Sequence, residues 1–136
     1  MKINPHIAFN GQCRAAFEFY QRCLNARIVT MISYGDSPMA DQTPPELRGQ
    51  ILHATLALGD QVIFGADVAA EHYRAPQGFH LALGTSDPDE AERLFRDLSE
   101  GGKVDLPLQQ TFWAVRFGVL TDRFGISWEV NCEQAR

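Results

Sequence analysis

Hydrophobic and polar positions along the first half of the chain follow the period of a strand, then of a helix, then of strands again. Alternation over residues 3–10 predicts a half-buried strand, and apolar side chains at helical spacing over residues 12–24 predict a helix. Further strands are predicted at residues 26–34 and 50–58, and a returning strand begins at residue 61. The first half therefore predicts a β-α-β-β-β order.

The second half repeats this order. A strand is predicted at residues 78–84, a helix at 87–99, and further strands at 103–108, 112–120 and 126–131, with a turn at 121–125. The helix start is marked by Asp87 as the cap, Pro88 at the first helical position and Glu90 where a capping box places its acid.

This repeat predicts the fold class, because two units that each leave one sheet face uncovered pair to bury it. We predict a single α+β domain made of two β-α-β-β-β modules, at about residues 1–70 and 75–136, with strands that pair largely antiparallel. The polar residues 67–77, which contain Pro76, are the predicted linker. Residues 35–49 carry three prolines without periodicity and predict a long loop, of a kind that often covers a site or stays mobile.

His80 is the first candidate for chemistry. It lies in the predicted strand 78–84, with Ala82 on its own face and apolar residues on the other. A single imidazole in an apolar strand needs a hydrogen-bond partner or a metal ion to offset its desolvation. This position therefore predicts either a satisfied core histidine or a ligand.

Composition narrows the classes of function. The chain has 136 residues, a formal net charge of -5 and no cluster of Lys or Arg, so nucleic acid and anionic membranes are not expected partners. No apolar run reaches the length of a membrane span and residues 1–5 lack the core of a signal peptide, so the expected location is the cytoplasm. Cys13, Cys23 and Cys132 are far apart, so we expect buried apolar thiols rather than disulfides or a zinc knuckle.

Motifs for other chemistries do not occur in the sequence. It contains no G-x-G-x-x-G, Walker loop or nucleophile elbow, and no glycine-rich cofactor loop follows a predicted strand. Nucleotide cofactors, serine-type hydrolysis and methyl transfer are therefore unsupported.

The order of elements and three sequence blocks resemble the vicinal oxygen chelate superfamily of glyoxalases, bleomycin-resistance proteins and dioxygenases, and within it the PhnB-like branch. The blocks are P-H-I-A-F-N-G at residues 5–11 with A-F-E-F-Y at 16–20, L-H-A at 52–54, and F-W-A-V-R-F-G-V-L-T-D-R-F-G-I-S-W at 112–128. The resemblance implies that the two modules form a cupped mixed sheet around a cavity and that the protein is a homodimer.

The resemblance also implies a metal site. By position, the ligands of the metal-dependent members fall on His6, Thr55, His80 and Glu129. Threonine is a poor ligand, so either His53 substitutes for Thr55 or the site is incomplete. His6, His80 and Glu129 would suit a single divalent ion such as Zn, Ni, Fe, Co or Mn, with open positions for water or substrate.

Simpler interpretations of the same residues stay open. Ungapped spacing places Pro5 rather than His6 at the first ligand position, and each histidine can hydrogen-bond a carbonyl at a strand end. Glu129 can pair with Arg116, and Arg116 can instead pair with Asp122 or recognise an anionic group of a ligand. Trp113 and Trp128, with Arg116 and Thr55, are the candidate substrate-cavity residues, although both tryptophans can equally be core.

Two functions are therefore expected as alternatives. In one, the protein is a metal-dependent lyase, isomerase or dioxygenase-like enzyme in which Glu129 or a bound water moves a proton. In the other, it is a metal-free protein that sequesters a small, antibiotic-like molecule in its cavity. Thr55 favours binding, Glu129 favours the enzyme, and neither identifies the ligand.

Overall fold

The computed structural model describes residues 1–133; the last three residues of the predicted second module lie outside that range. The chain separates into two compact units, Met1–Arg74 and Ala75–Arg136. The first contains β1 (His6–Phe9), α1 (Cys13–Leu24), β2 (Arg27–Ser33), β3 (Ile51–Leu58) and β4 (Gln61–Asp67). The second contains β5 (Leu81–Thr85), α2 (Pro88–Ser99), β6 (Lys103–Gln109), β7 (Ala114–Thr121) and β8 (Ser127–Glu133).

Each unit contains one four-stranded mixed sheet. The strand orders are β1-β4-β3-β2 and β5-β8-β7-β6, so the two units have the same topology. The first strand of each unit runs parallel to the last, and the remaining neighbours are antiparallel. The α+β class and the repeated β-α-β-β-β order are confirmed. Neither helix in the described part of the chain is long and apolar enough to cross a membrane.

The first unit is organised around Asp67, which corrects the sequence interpretation. Asp67 was expected to begin the polar linker, but it is the last residue of β4 and is 1% exposed. Its carboxylate accepts hydrogen bonds from the backbone N–H groups of Cys13 (3.0 Å) and Ile51 (2.9 Å). The buried charge is stabilised by these donors, and it joins the end of β4 to the start of α1 and of β3.

All three cysteines are buried free thiols, as expected. Burial, with a further contribution from the charge of Asp67, raises the pKa of Cys13 to about 12. The nearby Arg14 opposes this shift. A thiol that stays protonated at neutral pH is a poor nucleophile, so Cys13 contributes to packing and not to thiol chemistry.

The second unit contains a corresponding carboxylate in the turn between β7 and β8. Asp122 is 3% exposed, and its Oδ1 accepts hydrogen bonds from the backbone N–H groups of Phe124 (2.8 Å) and Ile126 (3.0 Å). Its Oδ2 accepts a hydrogen bond from Trp128 Nε1 at 2.9 Å. One buried group therefore stabilises the turn and fixes the first large side chain of the returning strand.

The orientation of β8 follows from this contact. Trp128, Val130 and Cys132 are at most 1% exposed and form the core beneath α2. Because side chains alternate along a strand, Glu129 and Asn131 lie on the opposite face. A register shift of one residue would exchange the two sets.

The variant Asp122→Asn tests this arrangement. Its amide group cannot satisfy all three donors, because the Nδ2 atom is itself a donor and leaves one buried N–H unpaired. We expect the free energy of unfolding, measured by urea denaturation, to fall by about 2 kcal/mol. Asp60→Asn, at the exposed β3–β4 turn, is the control and should change stability by less than about 0.5 kcal/mol. Equal effects of the two substitutions would contradict the proposed structural role of Asp122.

Candidate functional site

The face of the second sheet turned away from α2 carries the candidate site, and we call it the open face of the second sheet. Phe95 of α2 packs against Gly118, so Gly118 and its β8 partner Val130 point toward the helix. The next residues along each strand, Val119 and Glu129, pair with each other and point the opposite way. This face therefore includes Glu129 at its centre.

His80 and Glu129 meet at this face. His80 Nδ1 lies 3.7 Å from Glu129 Oε2, and the side chains are 44% and 30% exposed. His80 was expected within an apolar strand, but β5 begins at Leu81 and His80 precedes it. Because its imidazole is accessible to water, desolvation does not require a metal partner there. The pair is an available polar group rather than a buried structural one.

Asn131 adds a polar group with unused hydrogen-bonding capacity. It follows Glu129 by two residues and therefore lies on the same face. Its Oδ1 atom is buried and has no hydrogen-bond partner among residues 1–133. Buried polar atoms are usually satisfied, so this unpaired acceptor makes Asn131 a candidate ligand contact once its side chain rotates toward the surface.

Apolar side chains flank this polar group. Val119 pairs with Glu129 and Phe117 with Asn131 across the β7–β8 ladder. The ring of Trp113 packs edge-on against Phe117 with centroids 5.3 Å apart, and Trp113 is 50% exposed. The expected position of Trp113 beside a ligand surface is therefore compatible with the structure.

Asp105 on β6 contributes a second carboxylate near this face. The hydrogen bond from Thr121 Oγ1, 2.6 Å from Asp105 Oδ2, lowers the pKa of Asp105. Lys103, 3.3 Å away, and His80 lower it further. Asp105 is therefore ionised at neutral pH and its charge is offset by Lys103, whereas Glu129 has no lysine or arginine partner among residues 1–133.

Two expected cavity residues lie elsewhere. Trp128 is 1% exposed and donates to Asp122, so it belongs to the core beneath α2. Arg116 pairs with Glu92 of α2, with Nε 3.4 Å from Oε1, and not with Asp122 or Glu129. Arg116 has the same strand parity as Gly118, so alternation directs its side chain toward the helix. Neither side chain contributes to the open face of the second sheet.

The expected residues of the first unit share one face of the first sheet. His6 pairs with Phe64, and Phe64 pairs with Thr55, which places these three side chains in a row across the sheet. His53 and Thr55 are hydrogen-bonded, with Nε2 and Oγ1 3.2 Å apart, and the His53 ring lies against Phe64 with centroids 5.6 Å apart. His53 is therefore a partly buried histidine whose local partner is the Thr55 hydroxyl rather than a carbonyl.

The donor set is incomplete for a metal ion. Within residues 1–133, no group of three or more His, Cys, Asp and Glu side chains is arranged to hold one. His80 and Glu129 provide two donors, and structural or catalytic zinc sites take at least three from the protein. Sequence reasoning found this pair but missed Asn131, Val119 and Phe117, although the parity of Asn131 with Glu129 was a usable signal.

Comparison with known proteins identifies the family. The family profile described as 3-demethylubiquinone-9 3-methyltransferase matches residues 1–131. Protein YjdN of Escherichia coli (strain K12) is 32% identical over 139 residues, which cover 96% of this chain and 95% of YjdN.

Solved structures of similar proteins lead to the same family and fold. Protein PA1353 from Pseudomonas aeruginosa is 41% identical with a TM-score of 0.91, covering 99% of both chains. A PhnB protein from Bacillus cereus is 25% identical with a TM-score of 0.82, covering 99% of this chain and all of its own. The fosfomycin resistance protein FosX from Listeria monocytogenes is 10% identical with a TM-score of 0.67, covering 98% of this chain and 93% of FosX, and shares the fold alone. The chain therefore belongs to the PhnB-like family, and its fold is that of the vicinal oxygen chelate proteins.

Proposed function

We propose that this protein binds a small molecule on the open face of the second sheet. The observation that carries the proposal is the accessible His80–Glu129 pair next to the unsatisfied Oδ1 of Asn131. A ligand that donates a hydrogen bond would satisfy Asn131, and Glu129 would accept a second one. Small-molecule sites typically contain a few polar groups that converge beside apolar side chains.

The charges of this face indicate which ligands bind. Among the lysine, arginine, aspartate and glutamate side chains of this face, Lys103 offsets Asp105, and Glu129 remains as a negative charge. Trp113 and Phe117 offer aromatic surface, which attracts both rings and cations. We therefore propose that the ligand is a small aromatic or apolar molecule with a hydrogen-bond donor or a positive charge, and that anions bind weakly.

A divalent ion is the second candidate. The favouring observation is the chemistry of the pair, since imidazole and carboxylate are the donors that Zn, Ni, Fe, Co and Mn accept. A structure of a FosX variant contains Mn(II) and 1S,2S-dihydroxypropylphosphonic acid, so the fold is compatible with such an ion. Two donors would leave most coordination positions to water or ligand. The catalytic role expected for Glu129 stays a prediction.

Three phenols that differ in charge test the proposed ligand class. We expect tyramine, a cation, to bind more tightly than neutral 4-ethylphenol, and 4-ethylphenol more tightly than the anion 4-hydroxyphenylpropionate, by calorimetry at pH 7.5. In Glu129→Gln the preference for tyramine over 4-ethylphenol should fall about fivefold, as expected for one partly exposed charge pair.

The control is Glu92→Gln, which removes the same charge from the helix side of the sheet. It should leave the order of affinities unchanged. Titration of the same proteins with Mn²⁺ tests the second candidate, a divalent ion. Mn²⁺ binding that is lost in Glu129→Gln and kept in Glu92→Gln supports an ion bound to His80 and Glu129. Tightest binding of the anion, or equal effects of the two substitutions, would contradict the proposed site.

We also propose a homodimer. Val104 and Leu106 are 47% and 36% exposed on β6, an edge strand of the second sheet, and exposed apolar edges favour association. Sedimentation velocity at about 50 µM should show a dimer, and Val104→Lys should shift the distribution toward the monomer. A wild-type monomer at that concentration would contradict the proposal.

A further inference from the structure

A half-open pocket, which we call the cavity, lies within the first unit beneath the segment that follows β2. Its volume is about 190 Å³, and its walls are Tyr34, Pro44, Leu47 and Ala69 with the polar residues Gln42, Thr43, Gln50 and Asp67. None of these residues belongs to the open face of the second sheet. The expected loop at residues 35–49 therefore has a definite position over one end of the first sheet.

The segment over this cavity is held by its own hydrogen bonds. The backbone N–H of Tyr34 donates to Gln50 O at 2.9 Å, and that of Gly35 donates to Arg48 O at 2.8 Å. Arg48 Nε lies 3.2 Å from Ala40 O and 3.1 Å from Thr43 O. These contacts close the segment at its base and across its middle. The cavity is consequently formed before any ligand binds, which lowers the entropic cost of binding.

The cavity wall presents no accessible charge, because the Asp67 carboxylate is buried. Asp67 is the one ionisable acid or base of the wall apart from the Tyr34 phenol, and both of its carboxylate oxygens accept backbone hydrogen bonds from Cys13 and Ile51. Its main-chain carbonyl accepts the Tyr34 hydroxyl at 2.9 Å. A charged ligand would lose hydration without gaining a partner of opposite charge. The wall therefore selects an uncharged molecule.

The size of the cavity and the polar groups of its wall further limit which ligands can bind. An engineered apolar cavity of about 150 Å³ accommodates benzene, whereas sites for drug-sized molecules begin at about 300 Å³. The space here suits one ring with a small substituent. The amides of Gln42 and Gln50 each offer both a donor and an acceptor, which matches the pattern of another amide.

We propose that this cavity binds an uncharged, single-ring molecule bearing an amide group, packed between Tyr34 and Leu47 with its amide toward Gln50. The site is separate from the one proposed on the second sheet. A negative binding result at one of the two sites therefore does not contradict the other site.

Benzamide is the probe, with benzoate and benzylamine as ring compounds of nearly the same size and opposite charges. For benzamide we expect a dissociation constant on the order of 1 mM, as for other ligands of about nine heavy atoms. In ¹H–¹⁵N spectra of the full chain, benzamide should shift the amide resonances of Tyr34, Leu47 and Ala69. Benzoate and benzylamine at the same concentration should leave those resonances unchanged.

Matched variants test whether benzamide binds in this cavity. Ala69→Leu fills the cavity and should abolish the benzamide shifts, whereas Ala70→Leu, at the exposed next residue, should preserve them. Gln50→Met keeps the side-chain length without the amide and should weaken binding about tenfold, and Gln61→Met on the exposed start of β4 should have no effect. The unliganded spectrum of each variant reports whether it is folded.

Three results would overturn the proposal. The first is the absence of benzamide shifts at 10 mM in the wild-type protein. The second is equal binding of benzamide and benzoate. The third is retention of the benzamide shifts in a folded Ala69→Leu variant.

Discussion

The buried Asp122 carboxylate constrains the second unit through the hydrogen bonds that it accepts. They close the turn between β7 and β8 and fix Trp128 in the core. Since strand side chains alternate, fixing Trp128 also directs Glu129 toward the opposite face. The geometry of the proposed binding site is thus a consequence of an interaction on the other side of the sheet.

Asp67 has a comparable role in the first unit, although it lies at the end of a strand rather than in a turn. Its two carboxylate oxygens accept hydrogen bonds from backbone N–H groups of α1 and β3. Its main-chain carbonyl accepts a hydrogen bond from the Tyr34 hydroxyl. Removing such an acceptor leaves buried donors unpaired, which costs more than an average hydrogen bond contributes. Each unit therefore depends on one buried aspartate that connects segments distant in sequence.

Much of the fold could be predicted because its elements have clear periods. The helices and strands fall within a few residues of their expected bounds, and the repeat predicted the β-α-β-β-β order of both units. Asp67 was misassigned because a polar residue at a strand end has the same pattern as the start of a loop. Its buried role depends on Cys13 and Ile51, which local sequence does not specify as its partners.

Less of the candidate site than of the fold could be predicted from the sequence. The approach of His80 to Glu129 joins residues 49 positions apart, and only the family resemblance suggested it. Trp128 and Arg116 were placed in a cavity by residue type, whereas alternation along β7 and β8 directs both toward α2. Strand parity places Asn131 on the face of Glu129, but its unsatisfied Oδ1 could not be predicted from the sequence, because it depends on which neighbours fail to reach it.

We propose that ligands bind where β8 presents Glu129 and Asn131. The most direct test is a crystal structure of the protein soaked with tyramine. We expect density for the amine within hydrogen-bonding distance of Glu129, with the ring against Phe117 or Trp113. Tyramine located instead on the α2 side of the sheet, near Glu92, would contradict it.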